Sequence, residues 1–341
     1  MQTKHDAPPL RFLASALAPL AAAFLLVRAF GFGAQIIPPD LPFLGEEFSH
    51  FARNKDRYSV LFIGSSHVYY GVVPKSFDEE SGRAGTRQTS CNLAAPNLSV
   101  AEADILLNAV LLAGPANLKW VFVDSELEDH WERDDFDLAP DRYRYWNNPE
   151  ETWLLTRYSL ETELSLRTLA ALLPHWRAAF ERLWSTGSPR LSLLPPPPAE
   201  PADENEGHWN IEDGLNHSQW MARFLHDREK YLQQVAAMRP PQNPGSGPQR
   251  SGYRLRMFER MNELASLHHV RLVFFAPPVV RRYEAAKPVP AAPFLAFDSP
   301  EKYPELYEVR SRFDMNHLTE KASIAFSRLL ARTFAAAVRP R

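Results

Sequence analysis

The sequence predicts an α/β protein built on a parallel sheet, because short apolar runs alternate with segments of helical periodicity. A strand, a crossover helix and a second strand give parallel neighbours. Ligands of such sheets bind at the carboxyl ends of the strands, so the residues that follow each strand are the candidates for chemistry. The apolar runs with the length of buried strands are Val60–Ile63, Thr89–Leu93, Trp120–Val123, Val270–Phe275 and the shorter Phe294–Phe297.

Two helices of the predicted domain have clear sequence boundaries. Ser99 and Glu102 have the spacing of a capping box at the start of a helix between the second and third strands, and Gly114-Pro115 ends that helix. The final helix, from about Thr319 to Val338, carries apolar residues at helical spacing. We expect this helix to hold the loop that precedes it against the edge of the sheet.

The N-terminal segment differs in composition from the rest of the chain. Residues 1–9 are predicted to be a cytoplasmic tail, residues 10–37 a transmembrane anchor or uncleaved signal, and residues 38–57 a tether. A helix needs ~20 apolar residues to cross a bilayer, and the segment spans if Arg28 extends its charge to the interface. A cleaved signal peptide is the alternative, although Phe30–Gly33 places bulky residues where a cleavage site needs small ones. A buried core helix is the third interpretation, which the terminal position and the lack of polar periodicity disfavour.

Composition places residues 58–338 among ordinary globular domains. The chain has 341 residues, of which 45% are hydrophobic and 23% are charged, and its net charge is −3. A nucleic-acid partner would require a basic surface, so the charge balance argues against one. The single cysteine, Cys91, excludes an internal disulfide and is expected to be a small buried side chain.

A helical insertion is predicted at about residues 150–250, beside the carboxyl ends of the strands as a lid or substrate platform. Trp153–Trp184 is predicted to be helical, with Pro174 kinking or dividing it, and a second helix is predicted at about Ser218–Met238. The aromatic residues in and just before the insertion either stack on sugar rings or pack the insertion onto the sheet. They are Trp131, Tyr143, Tyr145, Trp146, Trp153, Trp209 and Trp220.

Two short motifs supply the residue types of a serine nucleophile and its base. The first apolar run stops at Gly64 and delivers Ser65 and Ser66 into a turn, which is how α/β folds expose a nucleophile. Asp314 and His317 lie just ahead of the last helix. A serine nucleophile needs a general base, and the base needs an orienting carboxylate. Each motif alone also fits an ordinary helix cap, so the prediction depends on their pairing.

With these motifs after its first strand and before its last helix, the chain resembles the SGNH/GDSL hydrolase superfamily from about Tyr58 to Phe334. The resemblance implies a three-layer, flavodoxin-like sheet of about five parallel strands. It places the nucleophile on Ser66, third in a Gly-Asp-Ser-like motif, and the base and its carboxylate on His317 and Asp314. Ser65 is the alternative nucleophile.

The same resemblance implies an oxyanion hole that includes the backbone N–H groups of Ser66 and Asn97. Family members carry Asn-x-Gly-x-x-Gly after the second strand, and the segment Asn92–Ser99 has Ala94 and Asn97 in place of the two glycines. Asparagine is tolerant of left-handed backbone angles, so a donor at Asn97 is retained. The third donor of the family is an Asn side chain after the third strand, where this chain has carboxylates beginning with Asp124. Loss of one such donor slows a hydrolase by about 10²–10³ in kcat.

The function implied by the resemblance is that of a serine esterase or O-acyltransferase that works through an acyl-enzyme. The layout is similar to that of the alginate O-acetyltransferases and the D-alanylation proteins of teichoic acid synthesis, which act on envelope polymers. The expected substrates are O-acyl, acetyl-like esters of a cell-envelope or exported glycan, with an envelope protein as a further partner. Basic residues on the N-terminal side predict a single-pass protein of the inner (cytoplasmic) membrane with its globular domain on the extracytoplasmic, periplasmic side.

Other functions fit the same residues. A catalytically degenerate member of the superfamily would bind a glycan or an envelope partner without turnover, as the absent third donor would suggest. A lipid-directed esterase would suit the anchor but has no dedicated motif. No cofactor is expected. A metal centre would use His67, Asp314 and His317, with His130 as an optional fourth ligand, and their spacing matches no recognised ligand pattern.

Overall fold

The computed structural model of the chain describes residues 37, 41, 43–127, 142, 145–162, 164–184, 206–213, 217–238, 252–280 and 289–338. Within these residues lies a five-stranded sheet in which every strand is parallel to its neighbours. The predicted parallel α/β class is therefore confirmed, and each strand overlaps the apolar run predicted for it, with ends that differ by at most one residue. The strands are β1 (Val60–Ile63), β2 (Ser90–Asn92), β3 (Trp120–Asp124), β4 (Arg271–Ala276) and β5 (Phe294–Ala296).

The strand order is β2-β1-β3-β4-β5, so the chain moves outward from β1 to β2 and then returns to β3 on the other side of β1. This order is consistent with a flavodoxin-like fold, in which the ligand binds where the winding reverses, between β1 and β3. Ile63 pairs with Val123, so the residues after β1 and the end of β3 lie side by side. The switch point of the sheet therefore falls at the turn Gly64–Ser66.

Helices follow most strands of the sheet. The helices of the described residues are α1 (Gly45–Asn54), α2 (Ser66–Tyr69), α3 (Pro74–Arg83), α4 (Val100–Leu112), α5 (Pro149–Thr162), α6 (Leu166–Trp184), α7 (His217–His226), α8 (Arg228–Ala237), α9 (Gly252–Leu267) and α10 (Glu320–Val338).

Alternate side chains of the strands enter two apolar clusters, one on each face of the sheet. In β1, Leu61 and Ile63 belong to the cluster that also contains side chains of α1, α4 and α9. Val60 and Phe62 belong to the other cluster, with side chains of α3 and α10. All residues of β1, β2 and β3 are buried, which is expected of a parallel sheet with helices on both faces.

Helix α4 begins where its capping box predicts. The Ser99 Oγ accepts the Glu102 N–H at 3.3 Å, and the Glu102 Oε2 accepts the Ser99 N–H at 2.7 Å, so both free donors are satisfied. The chain leaves the helix through Gly114, whose φ of 64° is in the left-handed region that glycine adopts without strain. The prediction for this helix is confirmed at both ends.

The insertion helices divide at other places than Pro174. Pro174 lies inside the continuous helix α6, and the break falls instead before Leu166. There the Ser165 Oγ accepts the Thr168 N–H at 3.1 Å and caps the new helix. The helix predicted over Ser218–Met238 is likewise two helices, α7 and α8, which meet at Asp227. The Ser165 cap thus marks a helix boundary, whereas Pro174 does not.

Part of the predicted tether is helical. Helix α1 buries Phe48 and Phe51, which lie three positions apart and face the sheet, so this part of residues 38–57 packs on the domain. The predicted cytoplasmic tail and nearly all of the predicted anchor lie outside the described residues. Ile37, the last residue of the anchor prediction, is buried in the same apolar cluster as Phe48. Among the residues that the structure describes, no helix is both long and apolar enough to cross a bilayer.

Candidate active site

The turn after β1 follows a path that only glycine permits at position 64. A Cβ built on Gly64 would lie 2.3 Å from Val68 Cγ2 and 2.8 Å from Asp124 Cβ. Such distances are far inside van der Waals contact, so any larger residue would displace α2 or β3. Ser65 occupies the N-cap position of α2 and Ser66 is its first residue, but the Ser65 side chain makes no capping hydrogen bond.

Asn92, the last residue of β2, anchors the short helix α2. Its side-chain amide donates to the carbonyl of Val68 at 2.9 Å and to that of Val72 at 3.1 Å. Its Oδ1 accepts the Ala94 N–H at 3.1 Å. Asn92 is fully buried, so these bonds satisfy polar groups that have no access to water. The helix that carries Ser66 is therefore fixed to the neighbouring strand.

Ser66, His317 and Asp314 form a hydrogen-bonded relay, although 251 positions separate the serine from the histidine. The Ser66 Oγ lies 2.9 Å from His317 Nε2, and His317 Nδ1 lies 2.8 Å from Asp314 Oδ2. An ionised carboxylate only accepts hydrogen bonds, so Nδ1 carries the proton and Nε2 is left to accept from the Ser66 hydroxyl. A general base for Ser66 needs this tautomer.

Asp314 is held by its own loop. Its Oδ1 accepts the backbone N–H groups of Asn316 at 2.7 Å and His317 at 2.8 Å, while Oδ2 faces the imidazole. Burial favours the neutral acid, but the hydrogen bonds and charge of His317, with the backbone donors, outweigh burial and lower the pKa of Asp314. The loop is closed by a hydrogen bond from the Phe313 N–H to the His317 carbonyl at 3.0 Å. The carboxylate is therefore charged and fixed before any substrate arrives.

Two aromatic rings confine the imidazole of His317. The His67 ring stacks on it at a centroid distance of 5.5 Å, and Tyr70 meets it edge-on at 5.4 Å. Burial, and then the Asp314 charge, raise the pKa of Tyr70, so this ring stays a neutral phenol. The side chains of His317 and Asp314 keep 17% and 22% of their surface exposed, which leaves the base accessible to a substrate.

Asp124, at the end of β3, binds the other serine of the turn. Its Oδ2 accepts the Ser65 hydroxyl at 2.9 Å and the Ser65 N–H at 3.3 Å, and its Oδ1 accepts the Glu126 N–H at 2.8 Å. Burial raises the pKa of Asp124 to about 6 although these hydrogen bonds oppose the shift. The carboxylate therefore connects the end of β3 to the turn Gly64–Ser66 across the switch point.

The same contacts make Ser65 a poor nucleophile in this geometry. The Ser65 Oγ also lies 3.0 Å from His67 Nδ1. A hydroxyl has a single proton, and an ionised Asp124 can only accept it, so His67 Nδ1 donates to Ser65 and takes no proton from it. The Ser65 hydroxyl therefore donates to the Asp124 carboxylate, whereas the Ser66 hydroxyl faces His317 Nε2, which accepts its proton.

The predicted oxyanion donors are available in this arrangement. Asn97 has a φ of 54°, in the left-handed region expected for a replaced glycine. The loop that carries it is tied to the nucleophile turn, because the Ala95 N–H donates to the Gly64 carbonyl at 3.0 Å. Within the described part of the chain, the backbone N–H groups of Ser66 and Asn97 have no acceptor. Both donors are therefore free for a ligand.

The structure also assigns places to residues whose contacts the sequence did not reveal. The sequence marks Asp124 only as a carboxylate near a strand end, and no local pattern marks Tyr70 or Arg142. The position of Asp124 directly after a buried strand at the switch point could have identified it. In the residues that the structure describes, no group of three or more His, Cys, Asp or Glu side chains could hold a metal ion, and His130 lies outside them.

Comparison with known proteins does not identify the chain. No model of a protein family matches it, and no curated protein matches it. Any assignment of function therefore depends on the geometry of the site.

Proposed function

We propose that the protein is a serine esterase or O-acyltransferase of SGNH type that acts on O-acyl esters through an acyl-enzyme. One observation carries the proposal: the Ser66 Oγ lies 2.9 Å from His317 Nε2 and His317 Nδ1 lies 2.8 Å from Asp314 Oδ2, an arrangement that favours the tautomer a base for Ser66 needs. The partly exposed imidazole supports it, as do the backbone N–H groups of Ser66 and Asn97, which have no acceptor among the described residues.

In the proposed first step, the Ser66 Oγ attacks the carbonyl carbon of an ester and its proton passes to His317 Nε2. The carbonyl oxygen becomes an oxyanion, which the N–H groups of Ser66 and Asn97 would stabilise. Asp314 stabilises the imidazolium that forms. His317 then returns the proton to the leaving alkoxide, the ester bond breaks, and the acyl group remains on Ser66 as an ester.

The second step mirrors the first. A water molecule or a sugar hydroxyl gives its proton to His317 Nε2 and attacks the acyl-enzyme, and collapse of the intermediate restores the Ser66 hydroxyl. Water as the acceptor makes the protein an esterase, whereas a sugar hydroxyl makes it a transferase.

An O-acylated glycan of the cell envelope, or one that is exported, is the substrate class we propose. Trp153, Trp209 and Trp220 of the insertion are each more than half exposed, as sugar-stacking residues must be. Trp209 follows His208, whose Nε2 lies 2.9 Å from Glu320 Oε2 at the start of α10, so it lies close to the loop of His317. Trp146, in contrast, is buried, and Trp131 and Tyr143 lie outside the described residues. The predicted anchor would hold the domain at the outer face of the inner membrane.

Covalent labelling of the full-length chain with a fluorophosphonate probe tests the proposal. We expect wild type to be labelled, Ser66→Ala and His317→Ala to lose the label, and Ser65→Ala to keep it. Hydrolysis of p-nitrophenyl acetate, followed by acetylated oligosaccharides, would then define the acyl group and acceptor. Folded wild type that takes no label would contradict an activated serine. Label lost only in Ser65→Ala would identify Ser65, and not Ser66, as the nucleophile.

A glycan- or partner-binding protein without turnover is the second candidate. The end of β3 favours it, because Asp124 stands where the family provides an Asn donor, and a carboxylate does not stabilise an oxyanion. Binding of an acetylated oligosaccharide by folded but unlabelled wild type would select this candidate.

A further inference from the structure

Arg142 is buried beside the loop that carries Asn97. Its side chain keeps only 7% of its surface exposed. The Nη1 donates to the carbonyl of Pro96 at 2.8 Å, and the Nε donates to Glu102 Oε1 at 2.8 Å. A guanidinium is thus fixed by a charged hydrogen bond on one side and aimed at a single backbone carbonyl on the other.

The carbonyl that Arg142 binds belongs to the peptide group of the proposed oxyanion donor. The carbonyl of Pro96 and the N–H of Asn97 are the two ends of one planar, trans peptide unit, so they point in opposite directions. Fixing the direction of the carbonyl therefore fixes the direction of the N–H. Asn97 needs this support because its φ of 54° is disfavoured for a residue with a Cβ.

We propose that Arg142 is a positioning residue of the oxyanion hole, which it orients and strengthens through the Pro96–Asn97 peptide; this inference rests on the proposed function. A cation at a carbonyl oxygen polarises the amide and makes its N–H a stronger donor. That gain matters in this chain, because the strand end that supplies a third donor in the family carries Asp124.

Glu102 connects this support to the fold. Its Oε2 accepts the Ser99 N–H at the start of α4, and its Oε1 accepts from Arg142. Glu102 is itself buried, so its carboxylate has no water to replace these partners. The start of α4 thereby fixes the position of the guanidinium, and the guanidinium fixes the peptide.

The experiment compares variants of Arg142 with a matched control in the full-length protein. The variants are Arg142→Ala, Arg142→Lys and the double variant Glu102→Gln/Arg142→Met, which removes the cation without leaving a carboxylate unpaired. The control is Arg260→Ala, because Arg260 Nη1 also lies 2.8 Å from a buried carboxylate of α4, Asp104 Oδ2. The readouts are kcat and KM for p-nitrophenyl acetate, the rate of fluorophosphonate labelling and thermal unfolding.

We expect Arg142→Ala and the double variant to lower kcat and the labelling rate by about 10- to 100-fold, with KM nearly unchanged, because the N–H acts on the transition state. Arg142→Lys should recover part of the loss, since it retains a cation and one donor. Arg260→Ala should keep kcat even if it unfolds at a lower temperature. If Arg142→Ala does not fold, the kcat and labelling rate of the double variant Glu102→Gln/Arg142→Met test the inference in its place.

Two results would overturn the inference. The first is a loss of kcat in the Arg142 variants that is no larger than the loss in Arg260→Ala, which would assign Arg142 to stability alone. The second is a rise in KM with kcat unchanged, which would assign it to substrate binding. Folded wild type that neither takes the label nor hydrolyses the ester would instead contradict the proposed function, so the two failures are distinguishable.

Discussion

Asp314 determines which nitrogen of His317 carries the proton. Its replacement by Asn would place an amide, which has a donor as well as an acceptor, against Nδ1. When the amide donates to Nδ1, the proton moves to Nε2, which then no longer accepts from Ser66. We therefore expect Asp314→Asn to lower kcat by about 10⁴-fold with little change in KM, as the wrong tautomer does in Ser-His-Asp hydrolases.

Steady-state hydrolysis of p-nitrophenyl acetate measures this loss. Asn316→Ala is the control, because Asn316 is exposed and contributes backbone groups rather than its side chain to the hydrogen bonds of the loop. A decrease of less than about tenfold in Asp314→Asn would show that Asp314 does not orient the base.

Asp124 should make stability depend on pH in the direction opposite to that of a paired surface carboxylate. Burial raises its pKa from 3.8 to about 6, so between these values the folded protein holds a proton that the unfolded chain has lost. The free energy of unfolding therefore falls as pH rises through this window, by about 3 kcal/mol in total. Above about pH 6, Asp124 is ionised in both states, so its effect on the free energy of unfolding no longer changes with pH.

Asp124→Asn removes this titration while it retains an oxygen that accepts from Ser65. Relative to wild type, we expect the free energy of unfolding of the variant to rise by about 2.5 kcal/mol between pH 4 and pH 7, because the unfolded carboxyl is already more than half ionised at pH 4. Urea unfolding of both proteins at the two pH values provides the comparison, in which the other titrating groups cancel. A difference between the two proteins that stays the same at both pH values would refute the raised pKa.

At the scale of elements, the passage from β1 to α2 depends on Gly64. An Ala side chain at this position would overlap Val68 and Asp124, so Gly64→Ala should lower the free energy of unfolding by about 1–3 kcal/mol and slow labelling of Ser66. Gly82→Ala is the matched control, since a Cβ at Gly82 of α3 meets nothing within 4 Å. It should leave labelling unchanged and raise stability by up to about 1 kcal/mol. Equal behaviour of the two variants in denaturant unfolding would contradict the close approach at Gly64.

The elements that could be predicted from the sequence are those whose pattern is local. Each strand is an apolar run between turn-forming residues, and the capping box of Ser99 and Glu102 lies within one helical turn. Helix α1 was missed because its apolar residues follow a proline-rich stretch that resembles a linker. The sequence pattern favours Pro174 over Ser165 as the helix boundary, because the Ser165 cap depends on the rotamer of its side chain.

In the candidate site, too, only the features with a local sequence pattern could be predicted. The types and order of Ser66, Asp314 and His317 were visible as short motifs, and the left-handed angle of Asn97 followed from its residue type. The contacts of Arg142 with Pro96 were not visible, because the two residues lie 46 positions apart and only the fold brings them together. Long-range polar contacts between ordinary residue types carry no local pattern.

At the scale of the whole molecule, the far end of the insertion joins the sheet edge to the loop of His317. The Asn92 N–H of β2 donates to the Glu206 carbonyl at 2.9 Å, which places residues 206–213 along the edge of the sheet. From there Glu212 Oε1 accepts the Glu320 N–H at 3.2 Å, and His208 binds the Glu320 side chain. The first turn of α10, which follows His317, is therefore held by the insertion.

This connection makes Gly207 important for the proposed activity, although it lies outside the proposed Ser66–His317–Asp314 relay. Its φ is 83°, and a Cβ would lie 2.1 Å from the Asn92 carbonyl oxygen. Gly85 has nearly the same φ, 81°, but a Cβ there meets nothing within 4 Å. Gly85→Ala should therefore cost only the backbone strain, about 1–2 kcal/mol, and keep kcat. Gly207→Ala should cost about 1–3 kcal/mol more and lower kcat, because the displaced segment releases the start of α10. Denaturant unfolding and ester hydrolysis of both variants test this, and equal kcat values would show that the insertion does not support His317.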